Sequence, residues 1–275
     1  MAMELLTADL SRSQFNTIRA FLYQASGIKL ADGKESLVKS RLMKRLRMLG
    51  LSSFDAYLEY LKTDSSECER RALIESLTIN NTSFFREPQH FAFLRERILP
   101  RLESANRKIR IWSAGCSSGE EPYSIAIVLR EALPDVDRRD VRILATDIST
   151  KILGEAREAI YEHYELKDVG PGLIKKYLTC TCARPVRHYR VNENVRKMVR
   201  FAQLNLMADW PMKGPFDVIF CRNVMIYFEK PTQQWLVQRF WELLEPGGYL
   251  LLGHSESLMT SAHRLRYVQP ATYVK

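Results

Sequence analysis

The loop Gly115-Cys116-Ser117-Ser118-Gly119-Glu120-Glu121 carries the first chemistry legible in the chain. It joins a strand-like run, Lys108–Ala114, to a helix predicted from Glu120 to Leu133. A glycine turn at such a junction lets a cofactor approach the backbone and meet the helix N-terminus. The spacing is not the dinucleotide G-x-G-x-x-G, and Glu120 and Glu121 would repel a pyrophosphate. A ligand carrying an ammonium and a sulfonium would be attracted to them. The charge logic favours S-adenosylmethionine over NAD; the alternative is a plain turn whose acids favour the helix dipole. Asp147 ends a second predicted strand, Val141–Asp147. A carboxylate there can accept both ribose hydroxyls of a nucleoside, or Asp147-Ile148-Ser149-Thr150 can serve as a helix cap.

Those residues need a scaffold, and the rest of the sequence supplies an α/β one. Further strands are predicted over Val199–Asn205, Phe216–Cys221 and Tyr249–Gly253. Helices follow Ser149 and begin at Pro231, so strands alternate with helices and the sheet is mostly parallel. Arg264–Val268 and Ala271–Val274 read as a closing hairpin. Between Tyr161 and Arg200 the alternation breaks, and Tyr177–Cys182 with Val186–Val191 predict an inserted antiparallel lobe. Residues 1 to about 75 read as helices, the first capped by Ser11 or Ser13 and stopped by Gly27. The second, about Lys34 to Leu49, has a stripe of Leu37, Val38, Leu42, Leu46 and Leu49. Its other faces hold Lys34, Lys39, Arg41, Lys44, Arg45 and Arg47. A third helix carries Phe54, Tyr57, Leu58 and Leu61, and a fourth spans roughly Ser66 to Leu77.

Composition excludes several classes. With 46% hydrophobic and 27% charged residues the chain can bury a core, so collagen-like, coiled-coil and disordered readings fail. No apolar run approaches the ~18–20 residues of a membrane helix. Met1–Leu10 carries Glu4 and Asp9 without a basic region, so no secretory signal is expected. Five scattered cysteines fit reduced thiols in the cytoplasm; Cys180 and Cys182 lack zinc spacing, and no metal is expected. The net charge of +9 permits nucleic acid, an anionic membrane surface or an acidic protein as partner and selects none.

Several runs together resemble one family. Asn80-Asn81-Thr82-Ser83-Phe84-Phe85-Arg86, Ser113 through Ser124, Asn205-Leu206, Phe220 through Phe228 and Gly253-His254-Ser255-Glu256 resemble, in order, the CheR-type chemotaxis receptor methyltransferases. The resemblance implies a helical domain over 1–76, a linker over 77–106 and a Rossmann-like class I methyltransferase domain over 107–275. A β-subdomain at about 176–200 would interrupt the last. It implies that Asn80, Thr82, Arg86, Gly115, Glu120 or Glu121, Asp147, Asn205, Leu206, Arg222 and Asn223 surround S-adenosylmethionine, with S-adenosylhomocysteine as product. Arg86 and Tyr227 match the positions nearest the methyl group. Phe84 and Phe85 are expected as core, and His254 as a turn histidine. Where the wider superfamily often has a middle glycine in the first loop, this chain has Ser117.

The activity implied is methyl transfer to glutamates of a receptor's helical bundle. Arg41 and Arg45 would steer that bundle, and Arg187 would suit an acidic receptor tail added to a β-subdomain edge. A monomer is expected. A nucleic-acid methyltransferase is the main rival; no Asp/Asn-Pro-Pro-aromatic motif supports it.

Overall fold

A computed structural model describes residues 9–63, 67–78, 80–104, 108–258 and 263–275. Most of the N-terminal stretch considered above, Ser66 at the start of the predicted fourth helix, and the 106/107 boundary lie outside them. The chain divides into two compact units, residues 1–79 with 227–229, and 80–226 with 230–275.

The first unit is helical. Helix α1 (Arg12–Ser26) is capped by Ser11, whose side chain accepts the Gln14 N–H while Gln14 reaches back to the Ser11 N–H. This reciprocal cap satisfies two N–H groups that the helix leaves open. Gly27, at φ 72°, stops it. Helices α2 (Glu35–Leu49), α3 (Phe54–Thr63) and α4 (Cys68–Leu77) follow. Their apolar stripes meet in a core that includes Phe15, Ile18, Leu22, Leu42, Leu46, Phe54, Tyr57, Leu61 and Leu73.

Among the described residues of this unit one carboxylate is buried. Glu69 is 3% exposed and receives the Tyr57 hydroxyl at 2.8 Å and Arg45 Nε at 3.1 Å, with Arg45 Nη2 on its other oxygen. Arg41 donates to the carbonyls of Ser76 (3.3 Å) and Thr78 (2.9 Å) at the end of α4. Two basic residues of α2 therefore tie helices together, while Lys44 and Arg47 stay exposed.

The second unit opens with α5 (Pro88–Phe93), a π-helical turn over Leu94–Ile98 and α6 (Leu99–Ser104). Strand β1 (Ile109–Ala114), helix α7 (Glu120–Ala132), strand β2 (Val141–Asp147) and helix α8 (Thr150–Glu158) start the alternating part. A small antiparallel sheet comes next: β3 (Ile160–Glu162), then α9 (Pro171–Tyr177), β4 (Leu178–Cys182) and β5 (His188–Val191), in the order β3-β5-β4. After α10 (Glu193–Arg196), strands β6 (Val199–Gln203) and β7 (Phe216–Cys221), helix α11 (Lys230–Leu243) and strands β8 (Leu244–Leu252), β9 (Arg266–Gln269) and β10 (Thr272–Val274) complete the chain.

The main sheet runs β6-β2-β1-β7-β8-β10-β9. Its first five strands are parallel and the last two pairings antiparallel. Parallel strands covered on both faces read as apolar runs, which is why β7 is buried at all six positions. Trp112, fully buried, donates to Thr146 Oγ1 at 2.9 Å and packs among Trp210, Phe216 and Phe240. The sheet direction turns back at β1: β2 and β6 lie to one side, β7 and β8 to the other. Ligands bind at the carboxyl edge beside such a switch point, where the loops after β1, β2, β6, β7 and β8 all emerge.

The Arg45–Glu69–Tyr57 cluster gives a stability prediction. Glu69→Ala leaves a part-buried guanidinium and a buried hydroxyl without their acceptor. Breaking a buried pair costs ~3–5 kcal/mol, and Arg45 keeps some solvent, so about 3 kcal/mol is expected. Urea unfolding of the variant, followed by far-UV circular dichroism, measures it.

Candidate active site

The loop after β1 passes close to its neighbours. Gly115 leaves the strand at φ 82°, and its N–H and that of Cys116 both donate to the Thr146 carbonyl, at 2.7 and 2.9 Å. A side-chain carbon on Gly115 would strike Val224. Ser117 takes the left-handed conformation at φ 49° without being glycine. Its N–H donates to Asp147 Oδ2 at 2.9 Å and its hydroxyl to the Asn80 carbonyl at 3.2 Å. Gly119, at φ 97°, has room for no side chain: an added Cβ would lie 3.0 Å from both Ala156 Cβ and the Tyr161 hydroxyl.

Asp147 spans this loop and the next, since its Oδ1 accepts the Ser149 N–H at 3.0 Å. The cap of α8 is Ser149 itself, which accepts the Ile152 N–H. The Asp147 carbonyl receives Leu204 N–H at 2.9 Å and so places Asn205 and Leu206 alongside. Asn205 Oδ1 accepts the Met207 N–H, and the Leu206 carbonyl takes Trp210 Nε1 and Arg239.

The charges are concentrated and mostly buried. Glu120 is 3% exposed, accepts the Ser118 hydroxyl, and forms no ion pair among the described residues. Burial, with Glu165 and Glu155 nearby, pushes its carboxyl up to about 7. Burial also raises Glu121, although Ser113 donates to it at 2.7 Å and Arg222 Nη1 at 3.1 Å. Arg222 Nη2 reaches Glu87 Oε2 at 3.0 Å and the Arg86 carbonyl. Burial pushes Glu87 up, but Arg222 and the His254 N–H outweigh it and hold the carboxyl below the usual range. Buried Glu256 gathers the N–H groups of Gly253 (2.6 Å), Asn223 (2.8 Å) and Ile226 (3.1 Å), fixing the loop after β7.

The residues anticipated for the cofactor, Asn80 through Asn223, all belong to this unit. Gly115, Glu120, Glu121, Asp147, Asn205, Leu206, Arg222 and Asn223 follow the carboxyl ends of β1, β2, β6 and β7. Asn80 is tied in through Ser117. Thr82 is half-buried in the same segment, and Arg86 Nη1 donates to the Asn81 carbonyl at 2.8 Å. Phe84 is fully buried edge-on to Tyr161, and Phe85 is half-buried against Phe91. Tyr227 clusters with the helical unit, its carbonyl accepting Lys29 N–H at 2.8 Å. Arg187 is exposed between β4 and β5. Sequence reasoning missed Glu87, Ser113 and Glu256, though Ser113 and Glu256 lie inside the runs that carry the family pattern and Glu87 directly follows one.

Comparison with known proteins gives the family. Residues 80–274 match the family described as "CheR methyltransferase, SAM binding domain", so the class is that of S-adenosylmethionine-dependent methyltransferases. Residues 13–78 match "CheR methyltransferase, all-alpha domain". The chain belongs to the CheR methyltransferase family. A probable chemotaxis protein methyltransferase of Rhizobium etli is 45% identical over 88% of this chain and 91% of its own. The chemotaxis protein methyltransferase of Borreliella burgdorferi is 41% identical, covering 98% and 96%. That of Escherichia coli K12 is 44% identical, covering 90% and 85%.

The residues present fit S-adenosylmethionine. Arg222 Nε is a buried donor with no acceptor among the described residues, which a ligand carboxylate would satisfy. Burial raises the carboxyls of Glu120 and Glu121, and Glu120 has no cation paired with it among the described residues, so a ligand ammonium would offset the negative charge gathered here.

Glu120 makes a pH prediction. Its folded value lies above the unfolded one, so the native state holds the extra proton and stability falls as pH rises between about 4.5 and about 7. At 1.36 kcal/mol per unit, the loss is ~3 kcal/mol. Glu120→Gln is expected to remove that slope, seen in urea midpoints of variant and wild type at pH 5 and pH 7.5.

Proposed function

We propose that this enzyme methylates glutamate side chains of a chemoreceptor's helical bundle, forming methyl esters, and works in the cytoplasm. The observation that carries the reading is Arg86. Its guanidinium forms no ion pair among the described residues, and one N–H anchors it to the Asn81 carbonyl. Arg222, by contrast, is neutralised by Glu87 and Glu121. A free cation held in the segment that leads into the site suits an anionic acceptor.

S-adenosylmethionine supplies a methyl group activated on a sulfonium. Glu121 and Arg222 form a buried pair of opposite charges, the arrangement that receives a zwitterionic amino-acid end: ammonium toward Glu121, carboxylate toward Arg222 Nε. Asp147 would take the ribose hydroxyls, and the Asn205-Leu206 turn would lie on the base side. A glutamate carboxylate is ionised at neutral pH, its ordinary value being about 4.3, so the chain needs no general base. Its work is alignment and exclusion of water. Arg86 orients one carboxylate oxygen and leaves the other to attack. Tyr227, carried here from the family resemblance, would act by orienting a reactant and would transfer no proton.

The assay is transfer of labelled methyl to membranes with and without receptor. The label should appear only with receptor and be lost in mild alkali, as carboxyl esters are; alkali-stable label would overturn the reading. Arg86→Ala removes a charge-assisted hydrogen bond of ~1.5–3 kcal/mol, so kcat/KM should fall roughly 10- to 100-fold.

The basic face of α2 would steer the acidic bundle. Arg41 and Arg45 hold helices together, which assigns the steering to exposed Lys44 and Arg47. In wild type, kcat/KM should fall steeply with ionic strength, and less steeply after Lys44→Glu with Arg47→Glu. Parallel salt curves would count against this surface. The exposed Arg187 remains the contact proposed for an acidic receptor tail.

A further inference from the structure

Beside the Arg222 network lies a group of side chains that methyl transfer does not use. Glu87 precedes α5 in a left-handed conformation, at φ 57°. His90 stands one turn further on, and His254 follows β8. His90 Nδ1 lies 3.4 Å, and His254 Nε2 3.9 Å, from Glu87 Oε2. One ligand atom from each residue falls within 4.8 Å of the others. The two imidazole rings stand edge to face, with centroids 5.0 Å apart.

His90 supplies the independent observation. It is fully buried, yet neither ring nitrogen has a hydrogen-bond partner among the described residues. An unsatisfied buried polar group costs ~1–3 kcal/mol, and the ring lies against the carboxylate without bonding to it. His254, with 44% of its side chain exposed, opens the cluster to solvent.

We propose that Glu87, His90 and His254 form a binding site for a divalent transition metal of the zinc class. Two imidazoles and one carboxylate are the donors of an open tetrahedral zinc site, whose fourth position faces water. Calcium and magnesium are disfavoured because each prefers a shell made of oxygens. Bonding distance requires the three atoms to close in from separations of up to 4.8 Å, with the exposed imidazole of His254 turning toward the other two while its backbone N–H stays on Glu87 Oε1. Arg222 shares Glu87 Oε2 at 3.0 Å. A carboxylate oxygen has lone pairs for both an N–H donor and a metal, but the guanidinium repels the ion. The site is therefore weaker than a structural zinc site, and occupancy loosens the hold of Glu87 on Arg222.

Cobalt(II) is the probe. Added to the full chain, it should give visible bands of a tetrahedral nitrogen–oxygen site without the intense near-ultraviolet band of thiolate ligation. Exposed Cys68, Cys180 and Cys182 would announce themselves by that band. Zinc affinity, measured by calorimetry, should fall roughly 10- to 100-fold or more in His254→Ala, since even loss of an outer-sphere partner costs that much. His254 is on the surface, and an unchanged far-UV spectrum verifies that the variant is folded. His90→Gln should show the same loss. Absence of the visible bands, a thiolate band in their place, or zinc affinity unmoved by His254→Ala overturns the proposal.

Discussion

A guanidinium buried beneath the sheet edge is the constraint from which the site's geometry follows. Removing the Arg222 charge from water costs several kcal/mol, so the surroundings had to bring compensation to it. They do so from two stretches of chain: Glu121 from the start of α7, and the Arg86 carbonyl with the Glu87 carboxylate from the turn before α5. The ring of Phe91 lies 5.5 Å from the guanidinium and limits water on that side. One cation thus fixes the positions of the segment carrying Arg86, the first helix of the alternating part and the loop after β7. Among the described residues its Nε finds no acceptor.

The sign of the site is opposite to that of the chain. Net charge is +9, yet the carboxyl edge gathers Glu87, Glu120, Glu121, Asp147 and Glu256 around that arginine. All five accept from backbone N–H groups or arginine, which favours the charged acceptor in a setting that otherwise favours protonation. Glu120 has no arginine or lysine paired with it among the described residues, and burial pushes its carboxyl up to about 7. The basic excess lies elsewhere, on faces such as that of α2. Bulk charge therefore informs about encounter with a macromolecular partner, and local charge about the small molecule held inside.

Much of this was readable because local rules dominate locally. β2 and β7 are apolar runs bounded by turn residues, and both match their sequence-derived limits at every residue. The first loop was recognisable from its two glycines and two glutamates. Other features depend on contacts that no window contains. β3 is three residues long and exists through pairing with β5 nearly thirty residues later. The π-helical turn at Leu94–Ile98 interrupts a segment anticipated only as a linker. Arg41 and Arg45 looked like free surface charge because their acceptors, Thr78 and Glu69, come from another helix. Glu87 and His90 are adjacent on a helical turn and legible as a pair, but His254 joins them from 167 positions away from Glu87.

The short segment Tyr227–Glu229 has a bearing on how the chain can be dissected. It interrupts the larger unit yet groups with the helices, where Glu229 pairs with Lys29 at 2.9 Å and accepts from Tyr23. Deleting the first 79 residues would not excise a module cleanly. It would strand a carboxylate without its ammonium and a carbonyl without its donor, directly ahead of the helix that begins at Lys230. The polypeptide passes from one unit to the other three times, and a linear truncation cuts only one of those passages.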